Sequence, residues 1–260
     1  GDSALQQIFE TAQNANGVLQ VINFIQSDIK TYLQRVDQTK NISRYIGRYD
    51  ASDKYYISSN LETVFANLIQ RKDKIAFEEN IIVWQKNNEN LWKDIFEKLN
   101  RWLVTKGMWK DYDLFRKVIV EGIYPMHPIS TFMLTQLSDY LQNRSSLTLI
   151  SQYIEDSKEV DISDNTFLIM PETLMRGDLY TEMLAAEQEG KQPSQQCIRY
   201  DNILRKYGDK LSEESLVVLR SNLILRILRF RTKDYADAKE ALSVCSGFSI
   251  SEIEEELKWL

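Results

Sequence analysis

Two prolines three residues apart constrain the fold around them more than any other feature. In Tyr124-Pro-Met-His-Pro128 each ring fixes its own φ, and each drives the residue before it, Tyr124 and His127, out of helical geometry. A helix arriving from the N-terminal side must stop near Gly122, and a new one can open with Pro128 at its first position, where a missing N–H does no harm. Ile129, Met133 and Leu137 then recur at helical spacing, with Phe132, Leu134 and Leu141 widening the apolar stripe. The segment reads as a rigid corner between two helices, built on Pro125, His127 and Pro128. His127 is the sole histidine of 260 residues. Its expected place is as the cap of the second helix or in a polar niche of the corner.

Nine glycines and four prolines are few for this length, which favours long helices and few turns. An apolar share of 43% and a charged share of 27% are ordinary for a globular chain able to bury a large core. The formal net charge of −6 argues against a protein built mainly to coat nucleic acid. Two widely separated cysteines, Cys197 and Cys245, do not make a disulfide scaffold and suit a reducing, cytoplasmic setting. No apolar run approaches membrane-spanning length, so no membrane association is expected.

Taken in order, Ser3 with Gln6 gives a capping box, and Val18, Ile22, Ile25, Ile29, Tyr32 and Val36 form a heptad seam. At under three heptads that seam reads as a long helix packed on its own domain rather than as a coiled-coil arm. The helical period is lost around Ser43–Asp50 and Lys54–Ile57. Ser59 with Glu62 forms a second capping box, opening a helix through Phe65 and Ile69. Leu91, Trp92, Ile95, Phe96, Leu99, Trp102 and Leu103 share one face of a later helix closed by Gly107. The other face mixes Lys93, Asp94, Glu97, Lys98 and Arg101. A stacking platform for bases needs cations on the tryptophan face, so these tryptophans belong to the core. Asp111 or Asp113 caps the helix that leads into the corner. Phe167–Met170 reads as one short strand, Pro171 as a helix start, and Gly190–Gln195 as a linker.

Beyond it, Leu216–Phe230, Tyr235–Leu242 and a last helix from Ile250 outline a helix-turn-helix or winged-helix-like unit. Ser249 and Glu252 supply that last helix's capping box, and Ile250, Ile253, Leu257 and Leu260 its buried stripe. Its other faces carry Glu252, Glu254, Glu255 and Glu256 against a single Lys258. Phosphates would repel such a surface, so Ile250–Leu260 is expected to pack on protein rather than read DNA. Arg220, Arg226, Arg229 and Arg231 belong to another stretch. They form either a separate basic stripe or a counter-charge to the acidic helix.

No G-x-x-x-x-G-K-[ST] loop and no G-x-G-x-x-G occurs in the sequence. One histidine and two distant cysteines offer no zinc spacing, and no serine stands in a nucleophile-elbow context. No catalytic residue, metal site or cofactor is therefore expected within the chain.

The corner together with Gln142-Asn-Arg-Ser-Ser-Leu147 resembles a segment of large bacterial P-loop, AAA-like ATPases, such as those of BREX phage-resistance systems. A glycine-arginine-tyrosine element, Gly47-Arg48-Tyr49, is similar to one placed before the corner in that family. The family's arginine-threonine pair falls on Ser145 and Ser146, with an arginine one place early at Arg144. The resemblance makes Arg48 and Arg144 candidates for sensing nucleotide held elsewhere, Arg48 being otherwise an exposed arginine beside tyrosines. It implies a non-catalytic fragment that spans a helical lid and the start of a winged-helix-like unit. The nucleotide-binding loop would lie upstream of Gly1, and ATP and Mg would be needed only in the parent protein.

The expected architecture is mainly α: a helical domain over 1–190 carrying the corner, then a winged-helix-like unit over 191–260, with few short strands. The expected partner is protein, either the rest of the ATPase or its other subunits. The alternative is a self-contained helical adaptor.

Overall fold

The computed structural model describes residues 7, 11, 14, 15 and 18, and then 60–137, 146–160, 168–191 and 194–260. The chain divides into two compact units, Gly1–Ser58 and Ser59–Leu260. In the first, Gln7, Thr11 and Asn14 are helical, and the Thr11 hydroxyl donates to the Gln7 carbonyl at 2.7 Å. The Ser3 capping box, the heptad seam beyond Val18, the Ser43–Ile57 region with Arg48, and later Leu141, Arg144 and Phe167 lie outside the described residues.

The second unit is helical. Helix α1 is Leu61–Leu68, and α2 runs as Lys74–Phe77, a π-helical Glu78–Ile82 and Val83–Asn87. Helix α3 is Glu89–Trp102; α4 starts as Tyr112–Leu114 and continues as a π-helix, Phe115–Gly122. After the corner come α5, Pro128–Gln136, and α6, Ser146–Asp156. A 3-10 turn, Pro171–Arg176, leads to α7, Asp178–Gln188, then α8, Gln196–Tyr207, and α9, Glu213–Ile227. Helices α10, Tyr235–Ser246, and α11, Ile250–Trp259, end the chain. The short strand expected at Phe167–Met170 is reduced, among the described residues, to one parallel bridge between Met126 and Ile169.

Apolar periodicity sets most of these elements. In α3, Trp92, Ile95, Leu99 and Trp102 are buried while Lys93, Asp94, Glu97 and Arg101 stay exposed, so the tryptophans are core residues. That helix ends at Trp102 rather than at Gly107, which instead opens a 3-10 turn at φ 59°. Leu103 and Thr105 are buried in extended backbone between them, and packing has ended the helix before the breaker is reached.

Caps behave as the residue types dictate where their side chains are free. Asp111 accepts from Leu114 N–H at 3.0 Å, and both halves of the Ser249–Glu252 box form. Helix α1 differs. Asn60 is its N-cap and makes no side-chain cap bond, while Glu62 accepts from the indole N–H of Trp109 at 2.6 Å. Ser59, the other half of the expected capping box, lies outside the described residues.

One continuous core runs from Phe65 to Ile253. The expected division at 190–191 therefore does not coincide with the observed one at Ser58–Ser59. Trp102 shows why: its ring packs on Phe230, its indole N–H donates to Asp237 at 2.9 Å, and its carbonyl accepts from Arg231 N–H at 2.8 Å. In α11 Ile253 is fully enclosed and Leu257 half-buried against the core, whereas Ile250 and Leu260 are 40% and 48% exposed, so the expected four-residue stripe narrows to two.

Gly122 marks the tightest helix approach. A Cβ there would stand 2.9 Å from Ala66 Cβ on α1. Gly122→Ala should therefore destabilise the fold by about 1–3 kcal/mol through overpacking. Urea unfolding checks this, with a lower midpoint and unchanged slope as the expected result.

Candidate functional site

The corner is assembled from the end of α4, the start of α5 and the segment around Ile169. Helix α4 leaves carbonyls without intrahelical donors at its C-terminal end, as every helix does. Arg71, from the loop after α1, satisfies two of them together with a third carbonyl in the turn beyond. Its guanidinium donates to the carbonyls of Glu121, Gly122 and Tyr124 at 2.9, 3.0 and 2.9 Å. It also stacks over Phe77 at 4.1 Å, and Phe77 in turn meets Tyr124. Burial lowers the Arg71 pKa to about 10, which leaves it charged at neutral pH. From α2, the Gln85 amide reaches Val120 carbonyl at 2.8 Å, and the Gln85 carbonyl accepts from the Trp92 indole.

The chain then turns through Ile123, Tyr124, a cis-linked Pro125 and Met126, and Met126 N–H donates to Ile123 carbonyl at 3.0 Å. Two bonds tie the corner to the incoming segment: Ile169 N–H to Pro125 carbonyl at 2.7 Å and His127 N–H to Ile169 carbonyl at 3.1 Å. Ser130 adds its hydroxyl to the same Ile169 carbonyl at 2.7 Å.

His127 is the N-cap of α5, extended at ψ 143°, with Pro128 at the first helical position. Its Nδ1 accepts from Ile129 N–H at 3.1 Å, which fixes the tautomer with the proton away from Nδ1. Only 3% of the residue is exposed, and burial holds the imidazole down at about 3. The ring is therefore held neutral across the physiological range, with Nδ1 committed to the cap. The Ser130 hydroxyl is likewise engaged with Ile169. The thiols follow the same pattern: burial pushes Cys197 up to about 12, the Glu187 carboxylate adding to it, and burial alone raises Cys245. Among the described residues no group of three or more His, Cys, Asp or Glu stands together to hold a metal.

Of the residues singled out by sequence, Pro125, His127 and Pro128 come together as one corner. Arg48 and Arg144 lie outside the described residues. Arg71 went unnoticed because Gln70-Arg-Lys-Asp-Lys74 looks like any solvated loop.

A second polar cluster is buried between the Pro171–Arg176 turn and α9. Glu172 and Arg220, 7% and 8% exposed at their side chains, pair at 2.9 Å. Glu172 also accepts from Arg176, and Glu213 accepts from Arg220 at 2.6 Å. Two acids and two bases leave the cluster neutral. The signal for it was Arg220 itself, a charge inside the apolar run Leu216–Phe230. Contrary to the expected choice, Arg220 neither joins a basic stripe nor faces the acidic last helix. Glu254 of α11 pairs with Lys239, and Glu256 accepts from the Ser215 hydroxyl at 2.6 Å.

Two measurements follow from this geometry. His127 has a folded pKa near 3 against an unfolded value of 6.5, so the unfolded chain binds the proton first. Its contribution is complete above about pH 6.5 and is lost as pH falls toward 3. Between pH 7.5 and 4.5 wild type should lose on the order of 3 kcal/mol more than His127→Asn, which keeps a capping oxygen without the titration. Urea titrations of both proteins at the two pH values provide the comparison. Arg220→Met should cost about 3–5 kcal/mol by breaking a buried pair. Arg176→Met, at a side chain 45% exposed, should cost about 1 kcal/mol or less. Thermal melts of the two variants give the ranking.

Compared with known protein families, with curated proteins and with solved structures, the chain matches none.

Proposed function

We propose that the chain is a non-catalytic helical module of a larger bacterial P-loop ATPase and works through contact with protein. The observation that carries this reading is the state of the corner. Tyr124, Met126, His127 and Ser130 are all buried; the His127 ring caps its own helix, and the His127 N–H and the Ser130 hydroxyl both donate to Ile169. The segment that resembles the ATPase family thus serves as a joint that sets helix directions. That role suits a lid that transmits the nucleotide state of a neighbouring domain.

The resemblance further supports a place in phage defence, in a cytoplasmic assembly, with ATP and Mg held by the parent. Helices α9, α10 and α11 each pack on the other two, which supports reading them as a helix-turn-helix-like unit. The acidic surface of α11 disfavours DNA and favours a protein neighbour. Among the described residues no helix is long and apolar enough to cross a membrane. The rival reading, a self-contained adaptor, rests on the same buried corner and exposed helical faces. A nucleotide-binding loop encoded upstream of Gly1 in the full reading frame supports the first reading; a start codon near Ser3 supports the second.

Calorimetric titration of the chain with Mg-ATP should give no heat beyond dilution, because the sequence holds no glycine-rich phosphate cradle. A micromolar dissociation constant overturns the proposal.

A further inference from the structure

Helices α8 and α9 form a hairpin, joined by a 3-10 turn at Gly208–Lys210. The short connection makes them antiparallel, so the first turns of α8 lie beside the last turns of α9. Their outer surface holds a groove of about 280 Å³. Its lining is graded along its length. Arg199 and Arg226, with Asn222 between Tyr200 and Leu223, occupy the end toward the start of α8. Ile203 and Leu219 occupy the end toward the connection. Tyr200 and Leu223 are buried, at 6% and 4% exposure, and Ile203 is open at 37%.

The charges are what set this groove apart. Among the described residues neither the Arg199 nor the Arg226 guanidinium has an acidic partner. Their neighbours do: Arg205 pairs with Asp201 at 2.7 Å, and Arg220 is spent on Glu172 and Glu213. The larger hollow beside Arg101, near 430 Å³, has Arg101 matched by Asp237 and Glu240 and Lys239 by Glu254, with Lys233 the one lining cation outside these pairs. In a chain of net charge −6, these two arginines stand at one end of an apolar floor.

We infer that this groove binds an acidic amphipathic peptide segment of a partner protein. Its carboxylates would sit on Arg199 and Arg226, and an apolar side chain would cover Tyr200, Ile203 and Leu219. The inference rests on the reading of the chain as a protein-contact module. Guanidinium forks suit carboxylates, which they grip in bidentate, charge-assisted bonds. Exposed ion pairs alone contribute little, so the apolar floor must supply the burial and the arginines the choice of partner. Arg199 to Ile203 is one helical turn and Arg226 to Leu219 about two. A helical ligand would therefore carry its acid and its apolar anchor three, four or seven positions apart. A nucleic acid fits less well, because a phosphate backbone needs a track of cations and gains nothing from an aliphatic floor.

The test is selection of a random twelve-residue peptide library on the intact chain, with counter-selection on Arg199→Glu/Arg226→Glu. Both residues are exposed, and circular dichroism and melting temperature of the double variant should match wild type. The expected consensus pairs Asp or Glu with Leu, Ile or Phe at the stated spacing. Synthesised with a fluorophore, it should bind wild type in an anisotropy titration and bind the double variant at least tenfold more weakly. Raising salt from 50 to 500 mM should also weaken it. A consensus without acids, or one that binds both proteins equally, overturns the groove assignment and leaves the protein-contact reading standing. No consensus at all overturns the assignment too. So does a 20-mer DNA duplex that binds tighter than the selected peptide and is lost in the double variant. Sedimentation showing dimers of wild type that dissociate in the double variant would overturn it in favour of a second copy as the occupant.

Discussion

Two carbonyl oxygens at the end of one helix, and a third in the turn beyond it, decide how the chain around the corner is arranged. A helix that ends at Gly122 with Pro125 close behind it cannot satisfy its last carbonyls by winding on. The donors have to come from elsewhere, and Arg71 supplies them from a loop some fifty residues earlier in the chain. A lysine would bring one compact charge, whereas the planar fork of arginine reaches three acceptors while its face rests on Phe77. Once that end is held, Pro125 and His127 are placed to bond Ile169, and His127 is placed to cap α5.

Local chemistry made a good part of this legible. Proline positions located the break at Gly122 and the start at Pro128, since both effects are confined to neighbouring residues. Asp111 and the Ser249–Glu252 box were readable for the same reason. Apolar spacing found the buried face of α3, because a face that carries three tryptophan-sized or branched side chains per two turns has nowhere to go but inward. The mainly helical class followed from the scarcity of glycine and proline.

What stayed hidden depends on partners distant in sequence. Nothing local announces that Glu62 accepts from the indole of Trp109, forty-seven residues away. Gly107 looks like a helix stop, yet burial of Leu103 and Thr105 ends α3 first. Arg71, Glu172 and the groove between α8 and α9 leave no local trace, because a charge destined for the interior or for an interface is spelled like one on the surface. Arg220 was visible as an oddity in an apolar run, but only the fold names its counter-ions.

The joint between Trp102 and the segment 230–237 has a practical meaning for anyone shortening this chain. The Gly190–Gln195 stretch invites a cut, being polar and bracketed by breakers. Such a cut would part Trp102 from Phe230 and Asp237, and Arg220 from Glu172, on opposite sides of the break. A piece starting there would carry a cation from the interior with half its acids removed, and the other piece would carry an indole face opened to water. The useful boundary for dissection is the earlier one, at Ser58–Ser59, where the chain itself changes from one compact unit to the next.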